Sequence, residues 1–348
     1  MSYTISKNTK LPASEIEIEA EIPWADAEVF HDESVKDLNE SVEVPGFRKG
    51  KVPADVLKKR FGENSITEDM AERAVSKAIS DIILNEKLNI LTRPNVQITQ
   101  LAPNNPVKFK IKAVLIPEVT LPDYKKIAKE INSKRQAPAP VTEKDVDEML
   151  LKVRTNMSVQ KAQTEKTDVK EASKPENLPP LDENLAKTLG SESVEKLKET
   201  VKINIEAERR QEEYEKHRIK LSEKIIEGTK TETPEVLIES ELNRIEAQFK
   251  DNVTRFGLKF EDYLTHAKKT LEDVRKEWRP DAEKRAKLQL VLNKIAEIEK
   301  IQPDPQQVEI EAKHLTEHYK DADPERAKIY VETVLINEAV YQMLEGIK

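Results

Sequence analysis

The sequence predicts an α+β domain over residues 1–117, with helices packed on a small, mostly antiparallel sheet. An elongated all-α region with helical arms is expected over residues 181–348. Three observations carry this reading. Two stretches near the N-terminus alternate strictly between apolar and charged residues; everything after about residue 191 repeats its apolar residues every three or four positions; and a proline-punctuated stretch separates the two regimes. Charged residues make up 36% of the 348-residue chain, apolar ones 37% and aromatic ones 5%. That balance is too apolar for disorder but thin for one large core, so elongated helical modules with much surface per residue fit best.

In "SEIEIEAEI", Ile16, Ile18, Ala20 and Ile22 share one face, and Glu15, Glu17, Glu19 and Glu21 the other, as in a half-buried strand. "PVKFKIKAVL" repeats the pattern with the opposite charge: Val107, Phe109, Ile111 and Ala113 inside, Lys108, Lys110 and Lys112 outside. If the two strands are neighbours, the glutamate row faces the lysine row. A third strand, "NVQITQL", follows Pro94. Between them Trp24, Ala27, Phe30, Ser34 and Leu38 fit one helical stripe; Ile66, Met70, Ala74, Ala78 and Ile82 fit another.

Residues 118–141 are rich in proline and suit an extended linker. Thr142, with Asp145 three residues on, starts a connecting helix over 142–161, and 162–180 reads as a loop. Beyond it Val194, Leu197, Val201 and Ile205 mark a helix that Leu221 and Ile225 continue toward Gly228. Ile238, Leu242, Ile245, Phe249, Val253 and Phe256 mark the next, starting at Pro234; then come Leu288, Val291, Ile295 and Ile298, and last Tyr330, Val334, Tyr341 and Leu344. Pro280, Pro303, Pro305 and Pro324 are each expected near a helix start.

The net charge of −8 argues against a nucleic-acid binder by overall charge, so any anionic partner must meet a local patch. Without cysteine there is neither disulfide nor thiol chemistry. "MSYTISKNTKLPASEIEIEA" has no apolar signal core, and no window approaches a membrane span; a cytoplasmic protein without membrane association is expected. "GFRKGKV" falls short of a phosphate loop, with one residue too few between its glycines and Val52 where a hydroxyl belongs. "HLTEH" spells H-x-x-E-H, but only 30 residues follow His318 to supply a third ligand, so His314 and His318 read as a solvated pair. No metal, cofactor or catalytic residue is expected.

One segment stands apart. From Pro45 to Arg60 there are six basic residues and a single acid, Asp55, inside an acidic protein. Gly46 and Gly50 permit a tight or left-handed backbone around Phe47, Arg48 and Lys49; Pro45 and Pro53 stiffen the two ends; and Lys51 adds a further cation. A helix beginning near Pro53 points its positive dipole end at this loop. A ring, a guanidinium and an ammonium on one short scaffold suit an anionic surface with an apolar notch, as in RNA-rich assemblies. A solvated connector has the same composition.

The string "VPGFRKGKVP" resembles the ribosome-binding signature of the trigger factor family, G-F-R-x-G-x-x-P, with Gly46, Phe47, Arg48, Gly50 and Pro53 at its fixed positions. "RFGENSITEDMAERAVSKAI", "VKFKIKAVLIPEVTLPDY", "VTEKDVDEMLLKVR" and "PPLDENLAKTLG" are similar to further parts of that bacterial chaperone family. The resemblance implies a ribosome-binding site at Gly46, Phe47, Arg48, Lys49, Gly50, Lys51 and Pro53, docking on an exit-tunnel protein and adjoining ribosomal RNA. It also implies a helical cradle that shields nascent or unfolded polypeptides without ATP. Phe249, Phe256, Met343 and Leu344 are candidate cradle contacts, with the alternative that they are core. A homodimer off the ribosome is left open. Family members typically carry an FKBP-like prolyl isomerase domain between the connecting helix and "PPLDENLAKTLG". Here residues of roughly 160–180 occupy its place, with no glycine from 63 through 189 and no aromatic between Tyr124 and Tyr214, too little for a barrel with an aromatic pocket. Isomerase activity is therefore in doubt. Two rivals stand beside the chaperone reading: a divergent peptidyl-prolyl isomerase, and a ribosome-independent holdase or scaffold.

Overall fold

The computed structural model describes residues 1–319 and 322–348. The sheet has four antiparallel strands, β1 (Thr4–Leu11), β2 (Glu15–Ile22), β3 (Asn95–Gln100) and β4 (Val107–Val114), in the order β1-β2-β4-β3. β2 and β4 are the central pair, in the register that sets Ile18 opposite Ile111 and Glu17, Glu19 and Glu21 opposite Lys112, Lys110 and Lys108. The expected charge rows do face each other. Lys110 Nζ lies 3.0 Å from Glu17 and 3.2 Å from Glu19, and the hydrogen bond from Lys110 holds the Glu17 carboxyl below its ordinary pKa.

Four helices belong with this sheet: α1 (Trp24–Glu28), α2 (His31–Ser41), α3 (Ala54–Phe61) and α4 (Glu63–Asn85). The single stripe read over residues 24–38 is thus broken between α1 and α2. α4 lays Met70, Ala71, Ala74, Val75, Ala78 and Ile82 on the sheet; its alanines let the helix axis approach closely, and Phe109 and Ile18 fill the space between.

β1 is not among the expected strands. Its outward positions are polar on both faces, so its sequence lacks the alternation of a half-buried strand; it is an edge strand held by backbone bonds to β2. The hairpin between them turns through Ala13 and Ser14, both left-handed (φ 60° and 58°). Glu232 Oε2 accepts from the Ser14 N–H at 2.9 Å, giving this strained turn a partner from far along the chain.

The remaining helices are α5 (Tyr124–Ser133), α6 (Glu143–Glu165), α7 (Val169–Ala172), α8 (Glu183–Thr188), α9 (Val194–Gly228), α10 (Glu235–Arg255), α11 (Phe260–Ala267), α12 (Leu271–Glu299), α13 (Pro305–His318) and α14 (Pro324–Glu345). α5 corrects part of the stretch 118–141 read as extended: Asp123 caps its first turn, accepting from the Lys126 N–H, and Tyr124 and Ala128 bury its apolar face. α6 starts at the expected capping box of Thr142 and Asp145 but runs on to Glu165, into the stretch read as loop, where α7 and a short 3₁₀ turn follow. Pro305 and Pro324 sit in first turns as expected; Pro280 does not, because it lies inside α12. Pro280 is exposed there, so the carbonyl whose donor it lacks can meet water.

The described chain divides into two compact units: residues 1–120 with 229–294, and residues 121–228 with 295–348. In the first, Thr120 and Lys230 form an isolated antiparallel bridge. In the second, α9 runs against α5 and α6, and Arg218 is held by Glu338 and Glu345 of α14 at 2.7 and 2.8 Å while stacking on Tyr214 and Tyr341. No helix among the described residues is long and apolar enough to cross a membrane.

Candidate functional site

The loop from Val42 to Pro53 connects α2 to α3, and its two shoulders are built differently from its tip. Val44 and Val52 are buried with Leu57 in a small cluster of their own, flanked by Val35, Val42, Val56 and Phe61. Valine at these positions packs the base of the loop between α2 and α3, roughly 1.5–3 kcal/mol per buried side chain. The tip between the shoulders is outside this cluster. Phe47 keeps 43% of its surface exposed, and Arg48, Lys49 and Lys51 are exposed with no ion pair among the described residues.

Hydrogen bonds restrain the backbone. The Phe47 N–H donates to the Val44 carbonyl at 3.0 Å, and the Lys51 N–H to the Arg48 carbonyl at 2.9 Å, closing two successive turns. Gly46 and Gly50 take φ of 89° and 77°, the left-handed values those turns require. A side chain at Gly46 would meet nothing within 4 Å, so conformation and not space selects glycine there. Asn39 of α2 locks the exit of the loop. Its Oδ1 accepts from the Val52 N–H at 3.0 Å, its Nδ2 donates to the Val52 carbonyl at 2.8 Å, and its own carbonyl accepts from the Gly50 N–H at 3.1 Å. Nothing in the sequence singled out Asn39; an asparagine late in a helix is an ordinary surface residue until the loop folds back on it.

Pro53 is the residue before α3, so that helix's N-terminal end adjoins the loop as expected. Lys58, Lys59 and Arg60 lie at its other end, and Lys58 is tied to Glu63 at 2.9 Å. The positive patch therefore divides in two, and the prong itself carries Arg48, Lys49 and Lys51.

The four candidate cradle residues differ from one another. Phe256 is 85% exposed: α10 ends at Arg255, and Gly257 (φ 75°) turns the chain so that the last member of the stripe points away from the core. Phe249 is partly buried in an aromatic cluster, 5.0 Å from Tyr263, 5.3 Å from Trp278 and 6.0 Å from Phe260. Met343 is half-buried. Leu344 is 1% exposed and belongs to the core, which corrects its reading as a contact for other chains: a side chain closed off by its own helix packing has no surface to offer.

His314 and His318 stack at 4.5 Å on α13 along an apolar groove of about 580 Å³, lined also by Leu315, Tyr330, Val334 and Leu335. Tyr330 and Val334, read as part of a closing helical stripe, are about half exposed on that groove. No cluster of three or more histidines and carboxylates able to hold a metal occurs among the described residues.

Comparison with known proteins places this geometry in context. Residues 1–153 match the family model of the bacterial trigger factor protein, and residues 193–344 match the model of the trigger factor C-terminus. The trigger factor of Halalkalibacterium halodurans is 25% identical over 399 aligned residues, covering 93% of each chain. That alignment is longer than the present 348 residues, so the relative carries residues with no counterpart here. The trigger factor of Rickettsia rickettsii is 34% identical over 155 residues, 44% of this chain and 32% of that protein. Among solved structures, one of the trigger factor chaperone covers 98% of this chain and all of its own, with a TM-score of 0.51 at 18% identity, a likeness of fold. With both family models matched in order and only residues 154–192 between them, the chain belongs to the trigger factor family of bacterial chaperones, in a form without the FKBP-like domain.

Proposed function

We propose that this chaperone is an ATP-independent holdase that docks at the ribosomal exit tunnel through the prong Gly46–Pro53 and shields nascent chains. The observation that carries the docking is the prong's construction. A half-exposed ring and three unpaired cations stand on a backbone held by two glycine turns and the Asn39 clamp. Holding these groups in place before binding lowers the ordering cost of association, and leaving the cations unpaired keeps them available to an exit-tunnel protein and the RNA phosphates beside it.

The domain division that goes with this reading is a ribosome-binding domain over 1–117, a linker region over 118–141, a connecting helix from 142, a short segment in place of the isomerase domain, and a helical chaperone domain over 181–348. Shielding is assigned to exposed apolar side chains such as Phe256, with Phe249 and Met343 partly available. Each buried CH₂ contributes only about 0.8 kcal/mol, so scattered contacts of this kind hold a client weakly enough for release without fuel. Residues 166–180 form a four-residue helix and a 3₁₀ turn, material that supports no isomerase pocket. A proline-limited refolding assay is therefore expected to show no acceleration beyond that of a helical holdase.

Docking is tested by co-sedimentation with ribosomes. The triple substitution Phe47→Ala, Arg48→Ala, Lys49→Ala is expected to abolish pelleting while circular dichroism stays unchanged. Wild-type binding should weaken as salt rises. Unaltered pelleting of the triple variant refutes the assignment.

A further inference from the structure

Between the C-terminal end of α5 and the middle of α9 lies a cavity of about 340 Å³ whose lining includes Lys134, Arg135, Gln136, Glu213, His217 and Lys220. Three cations converge there on one carboxylate, in a chain with more acids than bases. Glu213 is already engaged by Lys216 at 3.3 Å. Lys220 has no ion-pair partner among the described residues, and the Arg135 guanidinium has only the Tyr214 ring, 5.7 Å away. Lys134 alone is paired, with Glu130 at 2.7 Å on an exposed surface.

The floor of this cavity is a fixed imidazole. His217 is 5% exposed, and its Nε2 lies 2.9 Å from Asn132 Oδ1. The Asn132 amide cannot be flipped, because its Nδ2 donates to the carbonyls of Leu344 and Ile347 at 2.9 and 2.8 Å. An amide oxygen only accepts, so Nε2 carries the proton and Nδ1 of the neutral ring is left as an acceptor. Burial, and after it the charges of Arg135 and Lys220, push this imidazole below its ordinary pKa. Both cations therefore bear on the same ring, and among the described residues neither is held in an ion pair.

We propose that this cavity is a binding site for a phosphate group, held by Arg135 and Lys220 with Lys134 and the Gln136 amide at the rim. A planar guanidinium and mobile ammonium groups are the donors that phosphate oxygens call for, and the volume admits a di- or triphosphate moiety. The source is either a free polyphosphate anion or the backbone of a nucleic acid. The bound anion would also offset the cations facing His217. With Glu345 of α14 and Glu213 of α9 as the remaining acids near the ring, its protonation would then move to higher pH.

The test uses the full chain and inorganic triphosphate, followed by calorimetry at low and moderate salt. A single saturable site is expected, weakened about tenfold by Arg135→Gln or by Lys220→Gln. Lys202→Gln, exposed elsewhere on α9, should leave it unchanged. In the same samples the His217 ring should titrate at higher pH when triphosphate is present, and this shift should be lost in the Lys220→Gln protein. A short single-stranded oligonucleotide that competes with triphosphate identifies a nucleic-acid backbone as the source; failure to compete identifies a free anion. Absence of saturable binding in the wild type, or binding that both cavity substitutions leave intact, overturns the proposal.

Discussion

Asn39→Ala should free the exit of the prong without touching any group that meets a partner. The wild-type side chain makes two hydrogen bonds to Val52, at 3.0 and 2.8 Å, and Val52 is buried, so their loss strands a backbone N–H and a carbonyl away from water. At about 0.5–1.5 kcal/mol net for each bond, the local restraint weakens by about 1–3 kcal/mol. That corresponds to about a 5–150-fold rise in opening of the segment. Hydrogen exchange of the Val52 amide reads this directly. The Gly50 amide, bonded to the Asn39 main-chain carbonyl, is an internal control and should lose less protection. Asn39→Asp keeps an acceptor for the Val52 N–H and loses the donor to its carbonyl, so it should fall between the two. Ribosome co-sedimentation of Asn39→Ala should weaken by up to the same factor, although Phe47, Arg48 and Lys49 are all present. If the Val52 amide exchanges no faster in Asn39→Ala, the clamp does not hold the prong and the reasoning fails.

Two further outcomes probe the scaffold. Phe109→Ala removes one of the largest fully buried side chains, between β4 and α4, and should cost about 3–5 kcal/mol in urea unfolding of the first unit; a loss under 1 kcal/mol would mean the sheet–helix core repacks freely. Asp145 accepts from the Thr142 N–H, then from its hydroxyl and from Arg209, and these bonds hold its carboxyl down at about 2. A depressed carboxylate contributes its stabilisation above the unfolded pKa and loses it as pH falls through the folded one, so the start of α6 should loosen between about pH 4 and about pH 2. Amide shifts of residues 142–146 would follow this, and Asp145→Asn should abolish the transition.

Patterns local to the chain made much of this molecule legible in advance. β2 and β4 announce themselves because one face is buried and the other carries a row of like charge. α4 and α9 do so because apolar residues recur at the helical period over many turns, and α6 because Thr142 and Asp145 form a reciprocal cap. The prong was legible for a different reason: glycines and prolines are scarce enough here that their spacing around Phe47, Arg48 and Lys49 stands out. β1 escaped because it lacks a strong local signal, being an edge strand stabilised by its neighbour's backbone. α5 escaped although Asp123 caps it and Tyr124, Ile127, Ala128 and Ile131 recur at helical spacing, because the surrounding prolines, which read as extended chain, outweighed that short pattern.

By itself the sequence determined the kinds of element, the charged faces of the sheet, the missing isomerase domain and the position of the prong, since each depends on residues close together in the chain. Only the tertiary structure decided that Leu344 is core while Phe256 is bare, that Asn39 clamps Val52, that Glu232 supports the Ala13–Ser14 turn, and that Arg135, His217 and Lys220 share one cavity. The physical reason is common to all four. Burial, and the pairing of a polar group with a partner many residues away, are set by which surfaces meet, and no spacing along one helix or strand encodes the surface that will arrive from another.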